Sequence, residues 1–278
     1  MKSIHRRLTN MFGYVYLSVV VIIAVFPIYW LFLTAFKHEK DWSTKPPVFF
    51  TSNLTLKHFE KVFADPQVVH ALSNTIIVAV SGTLLAVLFG AMAAYPLARI
   101  HLGRYVNSTL LTGILLTRLF PFVTLVFPYF LIIRNFRMMD TLTALIISDA
   151  AMFFPFAVWM MVGFYQGIPR EMEEAAMIDG CSIWQRFRKI VLPVSINGLS
   201  VTAILVFMAA WNEFLYAVTF SNNEAKTLPV VIGGFISDKG IAWGDMTAIS
   251  VISIVPVLLI VLLAQKLLVR GITVGSVK

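Results

Sequence analysis

Six long apolar segments constrain this chain more than any other feature of its sequence. A bilayer core offers no partner for free backbone N–H and C=O groups, so a continuous apolar segment crosses it as a helix of about 20 residues. All six segments are long enough to do so: 11–36, 74–98, 105–133, 142–165, 192–220 and 246–264. The sequence therefore predicts an all-α membrane protein whose six transmembrane helices lie within residues 11–264.

The overall composition supports a membrane protein and excludes several other classes. Of the 278 residues, 59% are hydrophobic and 13% are charged, whereas soluble domains average about 45–50% apolar and about 25% charged residues. The single cysteine, Cys181, cannot form an intramolecular disulfide, and the five histidines have no spacing typical of metal ligands. No metal site is predicted. The net charge of +8 is attributed to basic cytoplasmic loops rather than to nucleic-acid binding.

The connections between the segments predict how the chain is oriented in the membrane. An even number of spans places both termini on one side, and slightly more lysines and arginines fall on that side than on the other. By the positive-inside rule, residues 1–10 and the tail 265–278 are expected in the cytoplasm. Two connections are long, an external loop at 37–73 and a cytoplasmic loop at 166–191. Soluble partners are expected to dock at these two loops.

Small residues and prolines in the spans indicate how the helices pack. Glycine and alanine recur every four residues in the second span, which gives one face that another helix can approach closely. These residues are Gly82, Ala86, Gly90 and Ala94. Five prolines inside the spans each remove a backbone donor and favour a bend. They are Pro27, Pro121, Pro128, Pro155 and Pro256. The pattern predicts a bundle of bent helices with a path through it.

The cytoplasmic loop carries the most specific pattern in the sequence. Pro169 suits the first turn of a helix, and Gly180 suits the left-handed residue that ends one. Ser182 can then cap a second helix. The loop therefore predicts a helix, a glycine corner and another helix, which together form a surface where a second protein can dock. A helix lying on lipid headgroups is the alternative.

The same loop resembles the EAA loop of the permease subunits of ATP-binding cassette (ABC) importers. Glu174-Ala175-Ala176 is followed at the family's spacing by Gly180, Ile190 and Leu192-Pro193. Trp211-Asn212-Glu213 and the tail 271–278 resemble the MalG-like branch, which serves carbohydrate uptake. The resemblance implies a six-helix, MetI-like permease fold in a bacterial or archaeal plasma membrane. It also implies a set of residues that couple the chain to an ATPase: Glu174, Ala175, Ala176, Asp179, Gly180, Leu192 and Pro193.

The resemblance further implies the partners and the cargo. The partners are a second, MalF-like permease that completes a heterodimer, two cytoplasmic ABC ATPase subunits and an extracytoplasmic solute-binding protein. The chain contains no G-x-x-x-x-G-K-[ST] phosphate loop, so ATP and Mg²⁺ are expected on the ATPase partners, and the chain itself is expected to be neither an enzyme nor a cofactor-binding protein. The expected cargo is a di- or oligosaccharide, acidic sugars included, and glycerol-phosphate and polyol importers share this branch.

Four polar residues within the spans are candidates for the translocation path or its gate. They are Arg118, Asp149, Asn212 and Glu213. A charge facing lipid at depth costs at least a few kcal/mol, so these side chains are expected to face protein or a wet cavity. The two acids also leave open an ion-coupled secondary transporter, although the chain shows no repeated halves.

The sequence leaves more than one role open for these residues. For Asn212 and Glu213 they are structural hydrogen bonds at an outer gate or direct contact with sugar. Counted along straight helices, Arg118 and Asp149 differ in depth by about 10 Å, too far for an easy direct pair. Arg118 could bind carbonyls freed by Pro121 or a group on the partner permease, face the path and attract an acidic cargo, or extend toward lipid headgroups.

Overall fold

The computed structural model describes residues 2–42, 44–100, 103–237 and 240–274, with thirteen α-helices in these ranges. The helices are α1 (Lys2–Phe36), α2 (Lys57–Ala64), α3 (Pro66–Arg99), α4 (Arg104–Leu116), α5 (Phe122–Asn135), α6 (Leu142–Gln166), α7 (Glu171–Ile178), α8 (Ile183–Arg186), α9 (Leu192–Val194), α10 (Ile196–Trp211), α11 (Leu215–Phe220), α12 (Leu228–Gly234) and α13 (Trp243–Val274). Two-residue strands β1 (Ile236–Ser237) and β2 (Gly240–Ile241) pair antiparallel, with Ile236 opposite Ile241.

Four stretches are single helices long and apolar enough to cross a membrane: Asn10–Phe36, Pro66–Arg99, Leu142–Gln166 and Trp243–Gln265. Two further pairs of helices pass the same test together but are sharply bent. Counting each bent pair as one span gives six. The predicted all-α membrane fold is confirmed, while two of the six spans are not the continuous helices that the sequence predicts.

The third predicted span, 105–133, is broken near its middle. Helix α4 continues through a 3-10 turn at Thr117–Leu119, and α5 then leaves at an angle of 96°. Phe120 is extended (φ −71°, ψ 128°) because the ring of the following Pro121 disfavours the helical conformation at the residue before it. The rise of a straight helix, from which the depth of Arg118 was estimated, therefore does not apply across this break.

The fifth predicted span, 192–220, is broken twice. The segment Ile183–Val194 and α10 meet at 76°. Helix α10 then ends at Trp211, and α11 begins four residues later at Leu215. The second break has a chemical cause, since the Glu213 carboxylate accepts hydrogen bonds from the backbone N–H groups that start α11. The prediction of one continuous helix over 192–220 is therefore wrong.

By its contacts the chain divides into two compact units, Met1–Val68 with Ile232–Pro256, and Val69–Val231 with Val257–Lys278. In the first unit Asp245, at the start of α13, accepts a hydrogen bond from Lys61 and lies 3.0 Å from Nδ1 of His58. A Cβ on Gly244 would lie 2.3 Å from the His58 ring. These contacts join α2 to the first turn of α13.

The second unit contains the predicted seam of small residues between α3 and α6. A Cβ on Gly82 would lie 3.0 Å from Cβ of Asp149, and a Cβ on Gly90 would lie 2.6 Å from Cβ of Ala157. Ala86 and Ala94 of the same face are buried. The close approach of the two helices, predicted from the four-residue spacing, is confirmed.

We expect Gly90→Ala to destabilise the protein, whereas Gly163→Ala is a matched control. The Cβ at position 90 would overlap Ala157, and overpacking of this kind costs about 1–3 kcal/mol. Gly163 lies inside α6 with nothing within 4 Å of its added Cβ, so alanine there should raise stability by up to about 1 kcal/mol through helix propensity. Thermal unfolding of the two purified variants in detergent compares them. Equal melting temperatures of the two variants would contradict the close packing of α3 against α6 at Gly90.

Candidate functional site

The first half of the cytoplasmic loop forms the predicted helix, but α7 begins at Glu171, so Pro169 lies before the helix and not in its first turn. Helix α7 ends in a left-handed glycine, since Gly180 has a φ of +79°. The N–H of Gly180 donates to the carbonyl of Met177 at 3.0 Å, and the N–H of Cys181 donates to the carbonyl of Ala176 at 2.9 Å. This pair of hydrogen bonds is the Schellman motif, which satisfies carbonyl groups at the helix end. The predicted positive φ at Gly180 is confirmed.

The second half of the loop starts with the predicted cap. Ser182 Oγ accepts from the N–H of Gln185 at 3.3 Å, and the Gln185 side chain accepts from the N–H of Ser182 at 2.8 Å. This reciprocal capping box fixes the first turn of α8. A π-helical turn at Phe187–Val191 then leads to α9, which contains Pro193. Helix, glycine corner and helix are thus all present.

Helix α7 has an outer and an inner face. Glu174 and Ala175 are exposed, and Ile178 beside the corner is 88% exposed. Glu173 and Ala176 are each only 6% exposed, packed within the chain itself. Of the two alanines expected to contact an ATPase, only Ala175 is on the exposed face of this chain, because neighbouring residues on a helix point about 100° apart.

The remaining predicted coupling residues lie around the corner and at the far end of the loop. Asp179 and Gly180 are exposed beside the outer face of α7. Leu192 is partly buried against the apolar core beneath the loop, and Pro193 is exposed. The structure thus brings Asp179 and Gly180 together with Glu174 and Ala175, whereas Leu192 packs against the core at the far end of the loop.

Glu173 forms a buried ion pair that sequence reasoning missed. Its Oε1 lies 2.9 Å from Nε of Arg99, in an approach that lacks hydrogen-bond geometry, and both side chains are under 10% exposed. Its Oε2 accepts a hydrogen bond from the Tyr95 hydroxyl at 2.7 Å. Arg99 Nη2 donates to the carbonyl of Ile168 at 2.5 Å. We call Tyr95, Arg99 and Glu173 the Glu173 clasp. It joins α7 to the last turn of α3.

The two intramembrane acids lie at one small cavity. Asp149, from α6, is 1% exposed, and Glu213 follows the end of α10. Both line a cavity of about 10 Å³, room for about one water molecule. Thr227 also lines it, and neither its hydroxyl nor Oδ2 of Asp149 has a hydrogen-bond partner among the described residues. The expectation that both acids face protein rather than lipid agrees with this placement.

Glu213 also has a defined structural contact. Its two carboxylate oxygens accept from the N–H groups of Tyr216 at 2.8 Å and Ala217 at 3.0 Å, so it caps α11. Asn212 is exposed, and its side-chain amide donates to the carbonyl of Met208 at 2.7 Å. The geometry thus gives Glu213 a structural hydrogen-bond role, whereas the one hydrogen bond of the Asn212 side chain is local.

Arg118 lies on the 3-10 turn at the break between α4 and α5, where it is exposed. Its guanidinium carbon is 4.8 Å from the centre of the Phe156 ring, a cation–π contact with α6. Asp149 on the same helix is buried at the cavity instead. The structure therefore leaves the charge of Arg118 available at the surface of this chain.

Asp140 is a second residue that sequence reasoning missed. It sits between α5 and α6 with a φ of +58°, and its carboxylate accepts four backbone N–H groups of a single turn. The donors are Asn222 at 2.9 Å, Ala225 at 3.0 Å, Asn223 at 3.1 Å and Glu224 at 3.2 Å. Burial alone would raise the pKa of Asp140, but the four donors outweigh it and lower the pKa to about 2.

We expect Asp140→Asn to loosen the turn at residues 222–225 at neutral pH. Since the pKa of Asp140 is lowered on folding, its stabilisation is complete above the ordinary pKa of 3.8 and is lost as the pH falls through about 2. The variant should therefore differ most from the wild type at pH 7 and progressively less below pH 4. Hydrogen-exchange protection of these four amides measures the difference. Equal protection at pH 7 would contradict the assignment.

Sequence comparison with known proteins identifies the family of this chain and several relatives. The family described as "binding-protein-dependent transport system inner membrane component" matches residues 86–274. The sulfoquinovosyl glycerol transport system permease SmoH of Agrobacterium fabrum is 36% identical over 94% of this chain and 91% of its own length. The diacetylchitobiose uptake permease DasC of Streptomyces coelicolor is 32% identical over 97% of this chain and 99% of its own length.

A third relative and a solved structure extend the comparison. The trehalose/maltose permease MalG of Thermococcus litoralis is 36% identical over 92% of both chains. A chain of a bacterial ABC transporter that imports the acidic polysaccharide alginate has a TM-score of 0.80, at 21% identity, over 94% of this chain and 96% of that one. At that identity the structural likeness shows the fold. The protein is therefore a multi-pass membrane permease that belongs to the family of binding-protein-dependent transport system inner membrane components.

Proposed function

We propose that this chain forms half of the translocation path of an ATP-driven importer whose cargo is a sugar delivered by an external binding protein. The named relatives support a carbohydrate, because they serve sulfoquinovosyl glycerol, diacetylchitobiose and trehalose/maltose. A second permease of MalF type would supply the other half. Glycerol-phosphate or polyol uptake is the alternative within the same family.

The geometry of the cytoplasmic loop carries this proposal. Its corner exposes Glu174, Ala175 and Gly180 beside the apolar side chain of Ile178. An apolar side chain with a small neighbour suits docking into a cleft of another protein. The occupant we propose is an ABC ATPase subunit, one of two. Those subunits would bind ATP and Mg²⁺, so the permease itself is not an enzyme and holds no cofactor.

The motion that follows is a change of tilt in the bent spans. The breaks after Leu119 and Trp211 divide the third and fifth spans into shorter rigid helices. Closure of the ATPases would displace the docked loop as a rigid body and switch the bundle between inward-facing and outward-facing arrangements. The binding protein would bias the same equilibrium from outside, and we place both termini and the loop at 166–191 in the cytoplasm.

Reconstitution tests this function. Proteoliposomes that contain this chain, its partner permease and the ATPases should take up an oligosaccharide only when ATP and the loaded binding protein are both present. Uptake driven by an ion gradient without ATP would favour a secondary transporter. Uptake of glycerol phosphate but of no oligosaccharide would select the alternative cargo.

Arg118 suggests the chemistry of the cargo. A cation that is exposed at a break in a membrane span is unfavourable against lipid, and its contact with Phe156 leaves guanidinium N–H groups free to bind a carboxylate or phosphate. We therefore place Arg118 on the translocation path, where it would attract an acidic sugar.

We expect Arg118→Gln to reduce uptake of an acidic oligosaccharide by about tenfold while uptake of a neutral one changes little. The loss of one charge-assisted hydrogen bond, worth about 1.5–3 kcal/mol, is enough for this difference. Initial uptake rates of matched neutral and acidic oligosaccharides, at equal membrane expression, give the comparison. An equal loss of both would assign Arg118 to assembly with the partner permease instead.

A further inference from the structure

Helix α7 cannot hold its own orientation. It has eight residues, whereas isolated helices shorter than about 12–15 residues are marginal in water. Its position therefore depends on contacts with the rest of the chain. On its inner face those contacts are made by Glu173 and Ala176, since both are buried while Glu174 and Ala175 point away.

The Glu173 clasp makes these contacts rigid. Glu173 meets Arg99 and Tyr95, which lie one turn apart at the end of α3. Arg99 also donates to the carbonyl of Ile168, just before α7 begins. One guanidinium group thus holds both the entrance to α7 and its first turn.

An aromatic cluster fixes the Tyr95 side of the clasp. The Tyr95 ring packs 5.2 Å from the ring of Phe187 and meets Tyr165 edge-on at 6.3 Å. Phe187 belongs to the π-helical turn that closes the loop, and Tyr165 lies at the end of α6. The Tyr95 hydroxyl therefore approaches Glu173 from a position set by two other elements.

We propose that Arg99 and Glu173 are positioning residues that make α7 and the end of α3 move as one body, so that displacement of α7 by a docked ATPase reaches the membrane spans. This inference rests on the proposed function. Separating a buried ion pair leaves uncompensated charges, whereas an exposed pair separates easily. A buried pair at this point therefore transmits movement that a flexible loop would absorb.

The test measures uptake per ATP hydrolysed in the reconstituted complex. Glu173→Gln keeps the size of the side chain but removes its charge, and Tyr95→Phe removes only the hydroxyl. Glu171→Gln is the matched control, because it removes one acid from the same helix at an exposed position. Copurification of the ATPase and the rate of ATP hydrolysis are measured for every variant.

We expect Glu173→Gln to retain the ATPase and to hydrolyse ATP while its uptake per ATP falls by about tenfold. Uptake per ATP should fall less in Tyr95→Phe, and in Glu171→Gln it should equal that of the wild type. Unchanged uptake per ATP in Glu173→Gln would overturn the inference, as would loss of assembly in both Glu173→Gln and Tyr95→Phe, because the clasp would then only maintain the fold. If the wild type itself neither binds an ATPase nor requires ATP, the proposed function fails instead.

Discussion

Replacing Ala175 with tryptophan should abolish ATP-driven uptake without unfolding the permease. Ala175 lies on the exposed face of α7, so the larger side chain meets solvent in the isolated chain. In the complex it would occupy an interface that requires close shape complementarity, and a tryptophan brings roughly 150–250 Å² of new surface. The variant should be expressed at the wild-type level and fail to copurify with the ATPase.

Two controls accompany Ala175→Trp. Ala175→Ser changes the volume little and should retain both the ATPase and uptake. Ala176→Trp should instead reduce the amount of folded protein, because Ala176 is packed against its own chain and overpacking there costs about 1–3 kcal/mol. Normal copurification and uptake by Ala175→Trp would show that the exposed face of α7 does not contact the ATPase.

Glu213→Ala should produce the second large effect. The substitution removes both acceptors at the start of α11, leaving the N–H groups of Tyr216 and Ala217 without their present partner. The loss of a helix cap costs about 0.5–2 kcal/mol, and an unsatisfied buried donor about 1–3 kcal/mol. Glu213→Gln keeps one acceptor oxygen and should lie between Glu213→Ala and the wild type.

The melting temperature and the uptake rate should both be lowest for Glu213→Ala, intermediate for Glu213→Gln and highest for the wild type. Asn212→Ala is the neighbouring control, since its side chain is exposed and makes one local hydrogen bond. We expect it to resemble the wild type. Full stability and full uptake by the Asn212→Ala, Glu213→Ala double variant would exclude both a structural role and a role in sugar contact.

The glycine corner of the cytoplasmic loop and the cap that follows it could be predicted from the sequence. Gly180 and Ser182 act through hydrogen bonds to residues no more than five positions away. Local chemistry therefore decides where α7 ends and α8 begins. The apolar segments were equally informative about the fold class, because the bilayer permits so few alternatives.

The interruptions within the spans could not be placed from hydropathy. A broken span is as apolar as a continuous one, so only chemical signals mark the breaks. Pro121 was such a signal for the third span. Glu213 was the signal for the second break of the fifth span, because an acidic side chain just before a helix can cap its first turn.

Contacts distant in sequence account for the residues that were missed. Three glutamates occur at positions 171, 173 and 174, and only Glu173 turns inward, toward a tyrosine 78 residues away. Asp140 binds a turn more than 80 residues further along the chain. No local pattern predicts such a partner, since the choice depends on which helices pack together.

Chemical labelling of Cys181 tests the central claim most directly. It is the chain's single cysteine, is partly exposed and follows the glycine corner at Gly180. In membrane vesicles stripped of the ATPase, a membrane-impermeant maleimide should modify Cys181 only from the cytoplasmic side, and readdition of the ATPase should slow the reaction strongly. Modification from the outside only, or at the same rate with the ATPase bound, would contradict a cytoplasmic loop that docks on an ATPase.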